Sequence, residues 1–124
     1  MFPELSYGIV GAAFTVFNEI GYGFPEKVYQ TALAKEFQNR KISYEREVHV
    51  PLRYREAPIA RYFADFIIEE RVIVELKVVP KLTYSNAKQL LTYLRGSGMK
   101  LGILIYFTRD GVKYRRVLNS GASA

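Results

Sequence analysis

The stretch Ala60–Val79, ARYFADFIIEERVIVELKVV, is the most informative part of the sequence. It reads as two apolar strands joined by a short polar turn at Glu69–Arg71. Charged residues interrupt the middle of both strands, and charged side chains are seldom buried unless they are paired or bind a metal. The interrupting residues are Asp65, Glu75 and Lys77. Their position at the centres of two core strands suggests a functional site.

The register of this hairpin decides whether the three charges meet. Side chains alternate faces along a strand, so Glu75 and Lys77 share one face. A two-residue loop would pair Asp65 with Val74 and turn its carboxylate away, whereas a three-residue loop pairs Asp65 with Glu75. The pattern therefore predicts an odd loop, or a bulge with the same effect, which also opposes Phe63 and Lys77. The alternative is an exposed hairpin face that carries solvated charges.

The composition is that of one ordinary globular domain. We expect a single domain over residues 1–119 and a flexible tail over residues 120–124. The chain has no cysteine, which excludes disulfides and thiolate metal sites and fits a reducing compartment. The N-terminus has no basic leader, and the uncharged run Leu5–Asn18 is too short to span a bilayer. These features predict a cytoplasmic protein without a membrane partner.

The charge distribution suggests a polyanionic partner. The formal net charge is +6, and residues 63–124 carry most of the surplus. A basic surface beside a small acidic site suits nucleic acid, although a surplus of this size also serves simple solubility. The cations that we expect to contact nucleic acid are Lys81, Lys88, Arg95, Arg109, Lys113, Arg115 and Arg116.

Hydrophobic periodicity and turn residues predict three helices and five strands. Helices are predicted over Leu5–Ile20, over Pro25 to about Arg40, and from a cap at Thr83 or Ser85 to Arg95. Strands are predicted over Ser43–Tyr54, twice within Arg61–Val79, and over Leu101–Phe107 and Val112–Leu118. The α-α-β-β-β-α-β-β order favours an α/β or α+β fold, with a mixed central sheet flanked by helices. The wide apolar face of the first helix is either buried or part of a homodimer contact.

Three further polar residues have both a functional and a structural interpretation. Glu26 lies in the first turn of the second helix, where the helix dipole favours any carboxylate. Gln89 would reach the Glu75 strand if the third helix packs beside it, and would otherwise be a polar helix flank. His49, the only histidine, lies on a polar strand face, where a solvated side chain is more common than a ligand.

The order Asp65, then Glu75-Leu76-Lys77 after a strand-sized gap, resembles the PD-(D/E)xK nuclease superfamily. The segment Gly23-Phe24-Pro25-Glu26-Lys27-Val28-Tyr29 agrees, because it fits the G-x-x-E-x-x-Y motif of the small bacterial and archaeal GxxExxY proteins assigned to that superfamily. Further landmarks are Ile9–Ala13, Ala64-Asp65-Phe66 and Gln89–Leu94. The resemblance runs from about Leu5 to Asn119.

The resemblance implies a restriction-endonuclease-like core, α-β-β-β-α-β, and a divalent-metal phosphodiesterase that acts on nucleic acid, with DNA the first choice. By position, Asp65, Glu75 and Glu26 would ligate Mg²⁺ or Mn²⁺, with the Leu76 carbonyl as an additional ligand. This donor set is chemically apt, because hard divalent cations prefer carboxylate and carbonyl oxygens.

The resemblance also assigns the remaining polar residues of the site. Lys77 would orient the attacking water or stabilise charge on the phosphate, and Gln89 would be the polar residue supplied by the third helix. The chain departs from many relatives at Phe17, and from some in the segment 85–88, where those proteins have histidine.

Two other functions are consistent with the same residues. The first is a nuclease-fold module that binds nucleic acid with little catalysis and works with a partner protein, since no recognition insert is evident. The second is an oligomeric structural protein, in which Lys77 forms an internal salt bridge with Glu75 or Asp65. Nucleolytic activity remains the leading hypothesis.

Overall fold

Five strands form one mixed sheet, and three helices cover its two faces, in a computed structural model that describes residues 1–82 and 85–120. In chain order, the elements are α1 (Pro3–Ile20), α2 (Glu26–Asn39), β1 (Tyr44–Tyr54), β2 (Ala57–Ile68), β3 (Val72–Val78), α3 (Ser85–Ser97), β4 (Leu101–Thr108) and β5 (Gly111–Leu118). The predicted cap at Thr83 or Ser85 lies outside the residues and side chains described.

The strand order is β1-β2-β3-β4-β5. Strands β3 and β4 are parallel, and all other neighbours are antiparallel. The parallel pair is joined by α3, as a parallel connection requires a crossover. The predicted mixed sheet flanked by helices is therefore confirmed, and α2 through β4 follow the expected core order α-β-β-β-α-β.

Each face of the sheet has its own hydrophobic core. Helices α1 and α2 pack on one face, where Ile9 and Leu33 contact a cluster that includes Leu76 from β3. Helix α3 packs on the other face, where Leu94 belongs to a cluster with Leu104. Strand β4 is buried along its whole length because helices cover it from both sides. This burial confirms the interpretation of the apolar run from residue 101 to 107.

The β2–β3 hairpin has the predicted odd loop. Ile68 pairs with Val72, which leaves the three residues 69–71 between the strands. The Arg71 N–H donates to the Ile68 carbonyl at 2.9 Å, and Glu69 and Glu70 have positive φ angles of 51° and 59°. This is the turn geometry that matches the twist of paired strands.

The rest of the predicted hairpin pairing is wrong. The ladder between β2 and β3 ends at Phe66 and Val74, so Asp65 does not pair with Glu75 and Phe63 does not oppose Lys77. From this point β2 continues with β1 as its partner while β3 continues beside β4. The two strands therefore diverge and form a fork.

Strands β1 and β2 exchange sheet faces at the fork. Phe66 packs in the core under α1 and α2, whereas Ala64 and Tyr62 pack in the core under α3. Across the ladder, Glu47 has a φ of 52°, a left-handed conformation, while the pairing register continues unchanged from Arg46 to Val48. Beyond it, residues 48–64 form a long hairpin, here called the arm, which turns at Arg55 and Glu56.

Among the described residues, no helix combines the length and apolarity needed to cross a membrane.

Gly102→Ala tests the close contact between β4 and α3. A Cβ atom at Gly102 would lie 2.6 Å from Leu90 Cδ2, well inside van der Waals contact. Because the core is packed on both sides of β4, we expect the free energy of unfolding to fall by about 1–3 kcal/mol. Chemical denaturation measures this loss.

A double-mutant cycle with Leu90→Ala identifies the obstructing group. Truncation of Leu90 removes the atoms that the new methyl group would meet, so Gly102→Ala should cost less in that background. An equal cost of Gly102→Ala in both backgrounds would contradict the assigned contact.

Candidate active site

The candidate site lies at the fork between β2 and β3. Where the backbone ladder stops, the Asp65 carboxylate replaces a backbone carbonyl as the acceptor for β3. Its Oδ2 accepts a hydrogen bond from the Leu76 N–H at 2.7 Å. Its Oδ1 accepts a second bond from Gln30 Nε2 at 3.3 Å. Asp65 is thus held between β3 on one side and α2 on the other, and its orientation is fixed by both.

Gln30 and Arg46 support Asp65, and neither was expected from the sequence. Gln30 is only 5% exposed, and its Oε1 accepts a hydrogen bond from Arg46 Nη2 at 2.9 Å. A signal for each existed. Gln30 follows Glu26 by one helical turn, and Arg46 occupies a position of β1 whose neighbours in phase, such as Val48, point inward.

Glu75 and Lys77 share a face of β3, as expected from their spacing. Together with Gln89, Asn86 and Tyr93 of α3, they line a small cavity of about 20 Å³. A cavity of this size holds about one water molecule. The structure therefore places Gln89 beside the Glu75 strand, with its Nε2 donating to the Tyr93 hydroxyl at 3.1 Å.

The Glu75 carboxyl group is electrostatically strained. Burial, reinforced by the nearby Asp65 charge, raises the pKa of Glu75 to about 8, while Lys77 and the Asp65 backbone act in the opposite direction. Its Oε1 is buried without a hydrogen-bond partner among the described residues. A buried carboxyl oxygen without a hydrogen-bond donor is costly, and a bound proton or cation would remove that cost.

Glu26 lies within the same electrostatic field. Partial desolvation of its carboxyl group and the charge of Asp65 raise the pKa of Glu26, and Lys77 lowers it. The side chain starts from the first turn of α2 and remains exposed. The first helix turn after the glycine-rich segment is therefore what brings this third acid toward the fork.

The three acids are not gathered into one ready-made metal site. Within residues 1–82 and 85–120, no three His, Cys, Asp or Glu side chains come close enough together to hold one ion. The ligand set Glu26, Asp65 and Glu75 therefore remains a prediction. Asp65 and Glu75 nevertheless fit a hard divalent cation, because both offer carboxylate oxygens and Glu75 has an unsatisfied one.

Lys77 does not form the internal salt bridge of the structural alternative. The ion pairs among the described residues are Lys27–Glu47 and Arg40–Glu36, both at the surface. Lys77 influences the carboxyl groups of Glu75 and Glu26 through its field rather than by direct pairing. Its ammonium group thus stands beside the acids without being neutralised by either.

Tyr62 is a member of the site that the sequence pattern concealed. Its ring stacks on Tyr93, with centroids 3.8 Å apart and an interplanar angle of 13°. Its hydroxyl is buried without a partner among the described residues, and burial and the charge of Glu75 raise its pKa. The group therefore stays a neutral hydrogen-bond donor. An apolar strand position predicts packing, which is why this role was missed.

Tyr29, the tyrosine of the G-x-x-E-x-x-Y segment, has a structural role. It is fully buried, stacks on Phe107 at 4.3 Å and donates its hydroxyl to the Gly21 carbonyl. This bond anchors the start of α2 to the glycine turn before it. Tyr29 thereby sets the position from which Glu26 projects.

The predicted nucleic-acid contacts are exposed but dispersed. Lys81 follows β3 at the fork end, and Lys88 lies on α3 next to Gln89. Arg95 is at the opposite end of α3, and Arg109 follows β4. The remaining three, Lys113, Arg115 and Arg116, lie on β5, which β4 separates from β3. Their contact with nucleic acid stays a prediction.

Comparison with known proteins points to one family. A model of the PD-(D/E)XK nuclease superfamily matches residues 3–117. The crystal structure of SSO0001 is similar in fold, with a TM-score of 0.58 and 20% sequence identity, over 74% of this chain and 49% of that chain. The present chain thus spans about half the length of that protein, and the likeness concerns the fold alone. No curated protein matches this chain.

The raised pKa of Glu75 predicts a pH-dependent stability in EDTA. Its carboxyl group keeps a proton up to about pH 8 when folded, but only up to about pH 4.5, its ordinary value, when unfolded. The stabilisation is therefore fully present below the lower value and is lost as pH rises through the upper one. We expect the free energy of unfolding to fall across this window by up to about 1.4 kcal/mol per pH unit.

Glu75→Gln should remove most of this slope, because the amide mimics the protonated acid at every pH. Glu45→Gln, at an exposed position of β1, is the matched control and should keep the slope. Urea denaturation between about pH 5 and pH 9 compares the three proteins. An unchanged slope in Glu75→Gln would show that Glu75 is not the titrating group.

Proposed function

Because the chain belongs to the PD-(D/E)XK nuclease superfamily, we propose that it is a divalent-metal-dependent nuclease of the GxxExxY group, acting on DNA in the first place. Members of this superfamily generally depend on divalent metal ions. The observation that carries the proposal is the convergence of Asp65, Glu75 and Lys77 at the fork, where two acids and an unpaired ammonium group act on one another.

The acids provide a place for the ion. Asp65 is already oriented by the Leu76 N–H and by Gln30, and Glu75 carries an oxygen without a partner. We assign these two as the ligands of Mg²⁺ or Mn²⁺, with Glu26 and the Leu76 carbonyl as additional donors. A bound divalent cation supplies the charge that makes water more acidic and polarises a phosphoryl oxygen.

The other side chains of the site complement this chemistry. Lys77 offers positive charge where phosphodiester hydrolysis accumulates negative charge. Gln89 and Tyr62 are neutral donors that position water or a phosphate oxygen beside Glu75. Arg46 donates to Gln30, and Gln30 in turn donates to Asp65, so this chain of hydrogen bonds orients the Asp65 carboxylate.

A second candidate function is nucleic-acid binding with weak or partner-dependent cleavage. The observation in its favour is that the three acids are not assembled into one metal site among the described residues. A partner protein or a second copy of the chain would then complete the site. A cytoplasmic location remains our expectation from the absence of cysteine.

Cleavage assays with Lys77→Ala test the nuclease proposal. Supercoiled plasmid, single-stranded DNA and RNA are incubated with the protein in Mg²⁺, Mn²⁺ or EDTA. We expect cleavage with metal only, and a loss of about 10²–10³-fold in rate for Lys77→Ala because charge stabilisation of the transition state is removed.

Lys35→Ala is the matched control, since Lys35 is an exposed lysine of α2 away from the fork. It should retain the activity of the native chain, and both variants should keep the native melting temperature. Metal binding without cleavage by the native chain would favour the binding module instead.

Metal binding should stabilise the fold. At a metal concentration of about 100 times Kd, the free energy of unfolding should rise by about 2.7 kcal/mol, because the ion binds the folded chain, in which the acids converge, and not the unfolded chain. Thermal melting in millimolar Mg²⁺ and in EDTA measures the shift. Equal melting temperatures would count against a metal site.

Calorimetry with Mn²⁺ tests the assigned ligands. Glu75→Gln should weaken binding about 10–100-fold, whereas Glu45→Gln should leave it unchanged. Binding by the native chain should also tighten between pH 6 and pH 8.5, because the ion must displace the proton that Glu75 retains. Identical affinity at both pH values would argue that Glu75 is not a ligand.

A further inference from the structure

The arm, residues 48–64, extends beyond the rest of the sheet. Strand β2 pairs with β3 only from Phe66 onward, so along the arm β1 and β2 have only each other as strand partners. The inner face of the arm, with Val50 and Ala64, is buried against α3. Its opposite face is exposed, with no helix over it in the part of the chain that the structure describes.

The exposed face combines rings with a cation. The strand register pairs His49 with Phe63 and Pro51 with Arg61, and opposed residues share a face. These four residues are here called the outer strip. Phe63 is 62% exposed, and its ring meets the His49 ring edge-on with centroids 3.8 Å apart. Phe63 and His49 thus form a small exposed cluster of rings, and exposed apolar patches mark interaction sites.

The tip of the arm repeats this combination. Tyr54 is 58% exposed and Ile59 is 66% exposed. The Arg55 guanidinium lies 5.3 Å from the centroid of the Tyr54 ring, and Arg53 donates to the backbone carbonyl of Glu56 at 3.2 Å. The arm contains three arginines and one acidic residue, so its surface carries a net positive charge.

The outer strip leads directly to the candidate site. Phe63 precedes Asp65 by two residues, a distance of about 7 Å along a strand. Because the strands exchange faces at the fork, the outer strip lies on the side of the sheet that α2 and Glu26 occupy. A chain that follows the strip therefore arrives at Asp65.

We propose that the arm binds single-stranded nucleic acid and guides it to the fork. Exposed rings alternating with cations suit a single strand, whose bases are free to stack on aromatic side chains while arginines contact the phosphates. A duplex keeps its bases stacked inside and would not use the rings. The inference deepens the proposed function and rests on it for the direction of the strand.

A second copy of the chain is a less suitable occupant of this surface. Self-association through the arm would bring Arg53, Arg55 and Arg61 near their own counterparts, and like charges in an interface oppose binding. An oligonucleotide instead supplies the opposite charge together with flat apolar surfaces.

Fluorescence anisotropy in EDTA tests the inference without cleavage. The probe is a labelled DNA strand of about 20 nucleotides without self-complementarity, used alone and as a duplex. We expect tighter binding of the single strand. Phe63→Ala should weaken it about 5–100-fold through lost stacking, and Arg61→Gln should lower the salt dependence by about 0.7 in log Kd per log salt.

Two matched controls test whether the loss of any exposed ring or arginine weakens binding, or only a loss from the arm. Tyr7→Ala removes an aromatic side chain that is 82% exposed on α1, and Arg71→Gln removes an exposed arginine at the opposite end of β2. Both should bind like the native chain. All four substitutions are at exposed positions, so we expect unchanged melting temperatures. Measuring these temperatures verifies that the variants differ in binding and not in folding.

The outcomes distinguish this inference from the nuclease proposal. If the native chain cleaves DNA and Phe63→Ala raises KM at constant kcat, both stand. If it cleaves but arm variants bind and cleave normally, or if duplex is preferred, the inference is overturned and the nuclease remains. If arm-dependent binding occurs without any metal-dependent cleavage, the inference stands and the nuclease fails. Self-association that Phe63→Ala abolishes, with unchanged DNA binding, would overturn the inference as well.

Discussion

The hydrogen bond between the Leu76 N–H and the Asp65 carboxylate is the constraint on which the site depends. A strand that leaves its neighbour exposes backbone donors, and a buried donor without a partner is costly. Asp65 satisfies the donor of β3 at the point where β2 departs. The acid at the fork therefore stabilises the divergence of the strands, because its carboxylate replaces the backbone acceptor that β2 no longer offers to β3.

The divergence has a second consequence, because it frees the arm. Had β2 remained paired with β3, β2 would be an inner strand of the sheet over more of its length. Instead, Glu47 adopts a positive φ, the strands exchange faces, and the inner residues of the arm cover α3. The same change leaves Tyr62 pointing toward Glu75 and Phe63 toward solvent. One irregularity thus separates Tyr62, beside the candidate site, from the exposed outer strip.

The electrostatics of the fork leave one of its two carboxyl groups poorly compensated. Asp65 already has two hydrogen-bond donors, whereas the half-buried Glu75 has a buried oxygen, Oε1, without a partner among the described residues. Two neighbouring carboxyl groups in a poorly hydrated place do not both ionise readily, and the pKa of Glu75 is therefore raised by its burial and by the Asp65 charge. A bound divalent ion would relieve the repulsion between the two carboxylates. Lys77 adds positive charge beside them without forming an ion pair with either acid among the described residues.

Strand-face alternation and the apolar runs were sufficient to predict the mixed sheet, the three-residue turn after Ile68, the burial of β4 and the shared face of Glu75 and Lys77. These properties follow from local periodicity, because a residue's place in a strand decides its direction. Only the tertiary structure decided that β2 leaves β3 at Phe66, that Gln30 and Arg46 hold Asp65, and that Tyr62 faces Glu75. Such contacts join residues far apart in the chain, and the packing of α2 and α3 on opposite faces, not any local pattern, brings them together.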